Sequence, residues 1–294
     1  MTIITLGVFD GVHRGHAEIL QKLVRRARAV RGTSAAYTFE PHPARILSPR
    51  SCPSRIMTPD QKTETLRRQG IQKIVVQRFT RRFSRLSAED FFRRILVRKL
   101  RAREIWIGYN FTFGFRRRGT PQKLLEWGKK AGIRVRVFPS FSWKGNPLSS
   151  TRIRSLLARG LVEQATELLG HPYLMEGVVV RGRGYGRGRL GIRTANLKSE
   201  NERILPLGVY ATRTRVGRKY YPSVTNIGCN PTFGRQILSI ETHILRFRRN
   251  LLRKRIAVEF VKRLRGERTF RSASALAAQI QKDIRVAERV LRRR

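Results

Sequence analysis

At 294 residues, with 40% hydrophobic and 9% aromatic content, the chain fits a soluble globular protein with room for two cores. Its charge is extreme: 64 Lys+Arg against 19 Asp+Glu give +45, a surface that attracts polyanions and speeds the arrival of phosphate-bearing ligands. The arginines run along the whole chain and occupy solvent faces of helices, as in LVRRARAVRG. They therefore read as a composition bias, with nucleic acid admitted only as a non-specific polyanion. No apolar run approaches the length of a membrane span. No basic segment precedes the first apolar run, which Asp10 interrupts early, so no signal peptide is expected. Cys52 and Cys229 lie far apart and make no CxxC. A reducing compartment follows most simply, although one disulfide stays open, and the expected location is the cytoplasm.

The first half alternates strand and helix patterns. TIITLGVF (2–9) reads as a strand, followed by a helix from about His16 with Ile19, Leu20, Leu23, Val24 and Ala27 on one face. TSAAYTF is the next strand. Thr58 has the chemistry of an N-cap, with Pro59 at the first helical position and Gly70 closing the helix. IQKIVVQRF is strand-like, Ser87 opens a helix through Leu100, and EIWIGYNF returns as a strand. Thr120-Pro121 repeats the cap, Gly132 ends that helix, and IRVRVF follows as a strand. This alternation predicts a doubly wound, mainly parallel α/β sheet that binds ligands beyond the carboxyl ends of its strands.

The pattern changes near Gly170-His171-Pro172. GVVVRG, GVYATRTRV, KYYPSVTNIG, SIETHILRF and RIAVEFVKRL read as strands, and a last helix from about 273 to 291 presents Leu276, Ile280, Ile284, Ala287 and Leu291. Consecutive strands followed by one helix predict a small β-barrel. The expected domains are residues 1–169 and 170–294.

Two of the five histidines fall in GVFDGVHRGH (7–16), where the first strand gives way to a helix. Helix N-termini favour bound phosphate, and Gly7 and Gly11 let backbone approach a ligand closely. His13 and His16, three apart, face one side if the turn is helical, and can stabilise the charge that grows when an α-phosphorus is attacked. A zinc site is the competing reading, but it needs further ligands.

GxFDGxHxGH resembles the nucleotide-binding signature of the adenylylating module of bacterial bifunctional riboflavin kinase/FAD synthetases. The likeness continues in family order through YTFEPHP (37–43), IGYNFTFG (107–114) and SSTRIR (149–154). It implies a Rossmann-type nucleotidyltransferase domain. His13 and His16 would be catalytic, on the ATP phosphates, with Gly7, Phe9, Asp10, Gly11 and Asn110 around the nucleotide. Ser149, Ser150, Thr151 and Arg154 would hold phosphate, and Phe39, Pro41, His42 and Pro43 would shape the FMN end. Plainer readings stand beside these: Asn110 as a turn residue, the serines as an N-cap run, and His42 as part of a rigid turn.

RGRGYGRGRLGIRTANL (181–197) taken alone suggests a flexible nucleic-acid-binding segment. It also resembles the glycine-rich loop and PTAN motif of riboflavin kinases. That likeness places Gly182, Gly184 and Gly186 on ATP phosphates, has Thr194 and Asn196 support Mg²⁺ and nucleotide, and makes Glu241, in IETHIL, the catalytic base. A paired surface glutamate is the plain alternative. Two departures stand out: Arg193 replaces the usual proline, and FRRNLLR (247–253) replaces a segment usually like FxxDLYG. The family implies that riboflavin is phosphorylated by ATP to FMN, and that FMN is adenylylated by ATP to FAD and pyrophosphate, with Mg²⁺ in both steps. Only the adenylylating half active, or a basic nucleic-acid binder keeping the fold, are the alternatives.

Overall fold

The computed structural model describes residues 1–182, 193–232 and 235–292. The chain divides into two compact units, Met1–Ser150 and Thr151–Arg294.

In the first unit, strands β1 (Thr2–Leu6), β2 (Thr33–Glu40), β3 (Lys73–Arg78), β4 (Ala102–Gly108) and β5 (Arg134–Phe138) form one sheet in the order β3-β2-β1-β4-β5. All four pairings are parallel. Helices α1 (Arg14–Ala29), α2 (Pro43–Leu47), α3 (Pro59–Arg68), α4 (Arg81–Ser84), α5 (Ala88–Asp90) and α6 (Pro121–Lys130) accompany it. A sheet buried on both faces needs apolar residues on both, and alternation along β1 supplies them. Ile3 packs with Leu20, Leu23, Ala36 and Trp106, whereas Ile4 joins Ala35, Phe91, Leu96 and Ile105. Burying each such aliphatic side chain stabilises the fold by about 1.5–3 kcal/mol.

The expected caps are present. Thr58 Oγ1 accepts from the Gln61 N–H while Gln61 reaches back to the Thr58 N–H, a complete capping box. Thr120 and Ser87 cap their own helices. The helix opened by Ser87 differs from expectation in kind, continuing past α5 as a π-helix over Phe91–Lys99. Its wider turn rotates less per residue, so adjacent Phe91 and Phe92 both enter the core.

The division falls one residue into α7 (Ser150–Ala158), with α8 (Val162–Leu169) wholly in the second unit, ahead of the expected 169/170 boundary. A closed barrel follows, in the order β10-β11-β12-β9-β8-β13. Its strands are β8 (Tyr173–Val180), β9 (Ala195–Ser199), β10 (Gly208–Val216), β11 (Lys219–Thr232), β12 (Arg235–Ile244) and β13 (Arg255–Arg265). Five match the strands read from sequence. β9, which read as a loop, is the one that joins β8 to β12. A short hairpin, β6 (Ser142–Trp143) and β7 (Asn146–Pro147), lies in the first unit. Part of the barrel interior is polar. Thr214, Ser223, Thr212, Thr225 and Thr242 are fully buried and linked hydroxyl to hydroxyl at 2.7–3.1 Å. Each group is satisfied by the next, which avoids the cost of an unpaired buried hydroxyl.

Helix α9 (Ala273–Arg292) packs Ala287 and Leu291 against Val209, Ala211, Val224 and Val261, as the periodicity predicts. Leu276, Ile280 and Ile284 are only half-buried. The third fully buried position is Asp283, which accepts from Arg265 Nε at 3.0 Å and Nη2 at 2.8 Å, and from Gln279 Nε2 at 2.8 Å. A charged residue in that stripe is tolerated because it is paired.

Candidate active sites

Strand order reverses direction at β1, between β2 and β4, so the loops leaving β1 and β4 open the crevice where doubly wound sheets bind ligands. The loop after β1 is tightly wound. Gly7 N–H donates to the Tyr37 carbonyl at 3.1 Å, and Phe9 (φ 53°), Gly11 (φ 83°) and Val12 (φ 36°) lie in the left-handed region. Side chains held there store strain, which clusters at functional sites. The result delivers His13 as the N-cap of α1, and its ring stacks on His16 with centroids 3.8 Å apart and planes 19° apart. Phe9 meets His16 edge-on at 5.2 Å. Burial, reinforced by neighbouring His13, holds the His16 pKa well below 6.5, so this imidazole is neutral at pH 7. Two rings at a helix N-terminus, at least one neutral and donating a single N–H, suit an oxyanion more than a second cation.

The glycine between these histidines escaped the sequence reading. A Cβ at Gly15 would stand 3.3 Å from Phe141 Cβ and 3.4 Å from the His13 ring. Its absence lets α1 start against the 141–143 segment, where Arg14 lies over the Trp143 ring at 4.0 Å. Only the bare HxGH spacing hinted at this.

The other expected residues divide by role. The Asp10 carboxylate is buried and accepts the backbone N–H groups of Ile56 at 3.0 Å and Met57 at 3.3 Å, so it holds the loop in place. Ser150 Oγ donates to the Asp10 carbonyl at 2.8 Å, which brings the serine segment to the histidine loop. Ser149 directly precedes α7, while Thr151 and Arg154 lie on α7 in the second unit. Asn110 is exposed in the turn after β4, where the Phe111 N–H donates to the Gly108 carbonyl. Phe39 is a core residue packed on Phe79 and Phe83, supporting the 40–43 turn from beneath. Pro41 follows a cis peptide bond, and Pro43 begins α2. His42 Nδ1 accepts the Ala44 N–H at 3.1 Å, an N-cap role consistent with the rigid-turn reading. Among the described residues no three His, Cys, Asp or Glu side chains come together, so the zinc reading gains no further ligands. Both cysteines are free.

In the barrel, register assembles the site. Glu241 on β12 lies opposite Asn196 on β9 and Asn226 on β11, and Asn196 also faces Val180 on β8. Gly182 follows that strand, and a Cβ there would collide with the Asn196 amide, so glycine is needed for the close approach. Gly184 and Gly186 lie outside the described residues. Thr194 is exposed two residues before Asn196. The His243 Nδ1 lies 2.8 Å from the Arg193 carbonyl, and Arg193 Nη1 donates to the Arg248 carbonyl at 3.3 Å. The two departures from the family pattern thus touch each other. The guanidinium of one tethers the backbone of the other, at the place where proline would have stiffened the loop.

Comparison with known proteins agrees on both halves. FAD synthetase matches residues 1–152 and riboflavin kinase matches 169–291. The bifunctional riboflavin kinase/FMN adenylyltransferase of Escherichia coli (strain K12) is 34% identical over 282 residues, covering 96% of this chain and 90% of that protein. The chain belongs to the bifunctional riboflavin kinase/FMN adenylyltransferase family. A family member from Listeria monocytogenes is 33% identical, over 96% of this chain and 90% of its own. Among solved structures, a macrolide-efflux protein from Streptococcus pneumoniae is similar with a TM-score of 0.89 and 29% identity, over 98% of this chain and 93% of that one. In the chain described here, no helix among the described residues is long and apolar enough to cross a membrane.

Proposed function

We propose that the two units carry the two family reactions in sequence: riboflavin and ATP give FMN and ADP in the barrel, and FMN and ATP give FAD and pyrophosphate at the parallel sheet. What carries this is the pairing of two phosphate-handling sites of different design with family matches in the same order. We assign residues 1–169 to adenylylation and 170–294 to the kinase, with α7 and α8 as the connecting helices.

In adenylylation an FMN phosphate oxygen attacks the α-phosphorus of ATP and pyrophosphate leaves. The nucleophile is already an anion, so the site needs positioning and charge stabilisation more than a base. His13 and His16 face the α-phosphate oxygens as N–H donors. Ser149, Ser150, Thr151 and Arg154 hold phosphate, Gly7, Phe9 and Gly11 shape the loop, and Asn110 lies beside the nucleotide. Pro41, His42 and Pro43 border FMN with Phe39 supporting them, and Asp10 holds the histidine loop in place on the nucleotide side. In the kinase, Glu241 accepts the proton of the riboflavin terminal hydroxyl as the γ-phosphoryl transfers. Asn196 and Gly182 approach the phosphates of ATP, and the family likeness assigns Gly184 and Gly186 to the same phosphates.

The Thr194 hydroxyl and the Asn196 amide are hard oxygen donors, with no cluster of three carboxylates among the described residues, which fits Mg²⁺ held largely by substrate phosphates. When bound, Mg²⁺ neutralises phosphate charge in both reactions. The use of ATP and the two free cysteines support a cytoplasmic location, and the surface charge adds at most salt-sensitive polyanion contact.

Separation of flavins after incubating purified protein with riboflavin, ATP and Mg²⁺ tests the reading. FMN followed by FAD is expected. FMN that is never converted removes the adenylylation assignment. If nothing forms from riboflavin while supplied FMN still becomes FAD, the kinase assignment goes.

A further inference from the structure

Lys62 on α3 belongs to no motif, yet its side chain is only 7% exposed. Its Nζ donates to the Phe39 carbonyl at 3.0 Å and lies 3.5 Å from Glu40 Oε2. The other Glu40 oxygen accepts from Arg55 Nη1 at 3.1 Å. The residues after Arg55 are Ile56 and Met57, whose N–H groups hold the Asp10 carboxylate. The segment 55–62 therefore grips two loops at once: one carries His13 and His16, the other runs from Phe39 to Pro43.

Burial pulls the Lys62 pKa down, and the Glu40 and Asp10 carboxylates pull part of it back. Desolvating an ammonium is costly, and an apolar side chain of similar length would fill the space without that cost. A cation kept here has a geometric task, because its three N–H groups fix acceptors from different parts of the chain at set distances.

We propose that Lys62 is a positioning residue for adenylyl transfer. By bridging the Phe39 carbonyl and Glu40, and through Arg55–Met57 to Asp10, it sets the flavin-side turn against the histidine loop. This rests on the reading that the first unit adenylylates FMN. FAD formation by the unaltered chain from FMN, ATP and Mg²⁺ tests that reading by itself.

Lys62→Met and Lys62→Arg in the full chain then test the positioning role. Measured for each are kcat and KM for FMN and ATP, with riboflavin phosphorylation as the second activity. Lys62→Met is expected to raise KM for FMN about tenfold with a smaller effect on kcat. It should leave phosphorylation at the unaltered rate, and Lys62→Arg should recover most of the affinity. If Lys62→Met abolishes FAD formation outright, recovery in Lys62→Arg still supports the role and failure to recover overturns it. An unchanged KM for FMN overturns it too. So does joint loss of both activities, which would make Lys62 a support of the whole chain, or an effect on kcat alone.

Discussion

The two candidate sites of this chain, each proposed to take ATP, have opposite construction. The first is made of loops: a strained turn after β1, a helix start at His13 and two stacked imidazoles, all at the reversal point of a parallel sheet. The second is made of register, with Glu241, Asn226, Asn196 and Val180 aligned across four barrel strands. A loop site depends on local backbone geometry and so shows as a compact motif. A register site depends on pairings between residues far apart in sequence, and damage to distant packing reaches it.

The largest expected effect probes that last point. Asp283→Ala removes the buried partner of Arg265 under the barrel and should destabilise the second unit by about 3–5 kcal/mol. Thermal unfolding should then show an earlier transition for that unit while FAD formation from FMN persists at 25 °C. Loss of FAD formation in step with the barrel would mean that the units are not energetically separate.

Next come the sites themselves. His16→Ala should lower FAD formation by about 10²–10³-fold, the usual cost of losing a donor to developing charge, with FMN formation intact. Glu241→Asn should reverse that pattern when FMN is supplied. Either variant losing both activities while still folded contradicts two independent sites.

Acidity should separate the halves more gently. The His16 pKa is lowered in the folded state, so below pH 6.5 the unfolded chain takes up a proton that the folded chain refuses. The first unit therefore loses stability as pH falls from 6.5 toward the depressed folded value, and His16 adds no pH dependence above that window. Comparing melting temperatures at pH 7.5 and 5.5, His16→Gln should fall less than the unaltered chain; an equal fall would put the acid sensitivity elsewhere. The smallest effect is expected from Arg193→Pro, which exchanges the tether to Arg248 for a stiffer loop. Kinase KM should change by less than about fivefold, since one exposed hydrogen bond is worth about 1 kcal/mol or less. A large loss would mean that the tether is essential to this barrel.

Legibility follows the same division. Thr58, Ser87 and Thr120 were readable as caps because capping is a contact over three residues. GVFDGVHRGH was readable because its glycines and histidines act within one turn. The holding role of Asp10 was not, since its partners Ile56 and Met57 are 46 and 47 residues away. β9 was hidden because RTANL, beside a glycine-rich run, has weak strand character and becomes a strand only by pairing with β8 and β12. Asp283 broke the apolar stripe of the last helix, and nothing local announced Arg265 as its partner.

Sequence by itself determined the two-part architecture, the helix caps, the strand alternation and the histidine turn, all set by chemistry within a few residues. Tertiary structure alone decided the closure of the barrel through β9, the burial that keeps His16 neutral, and the grip of Lys62 on two loops. Each of these depends on the dielectric and the partners that a residue finds only after distant segments have packed around it.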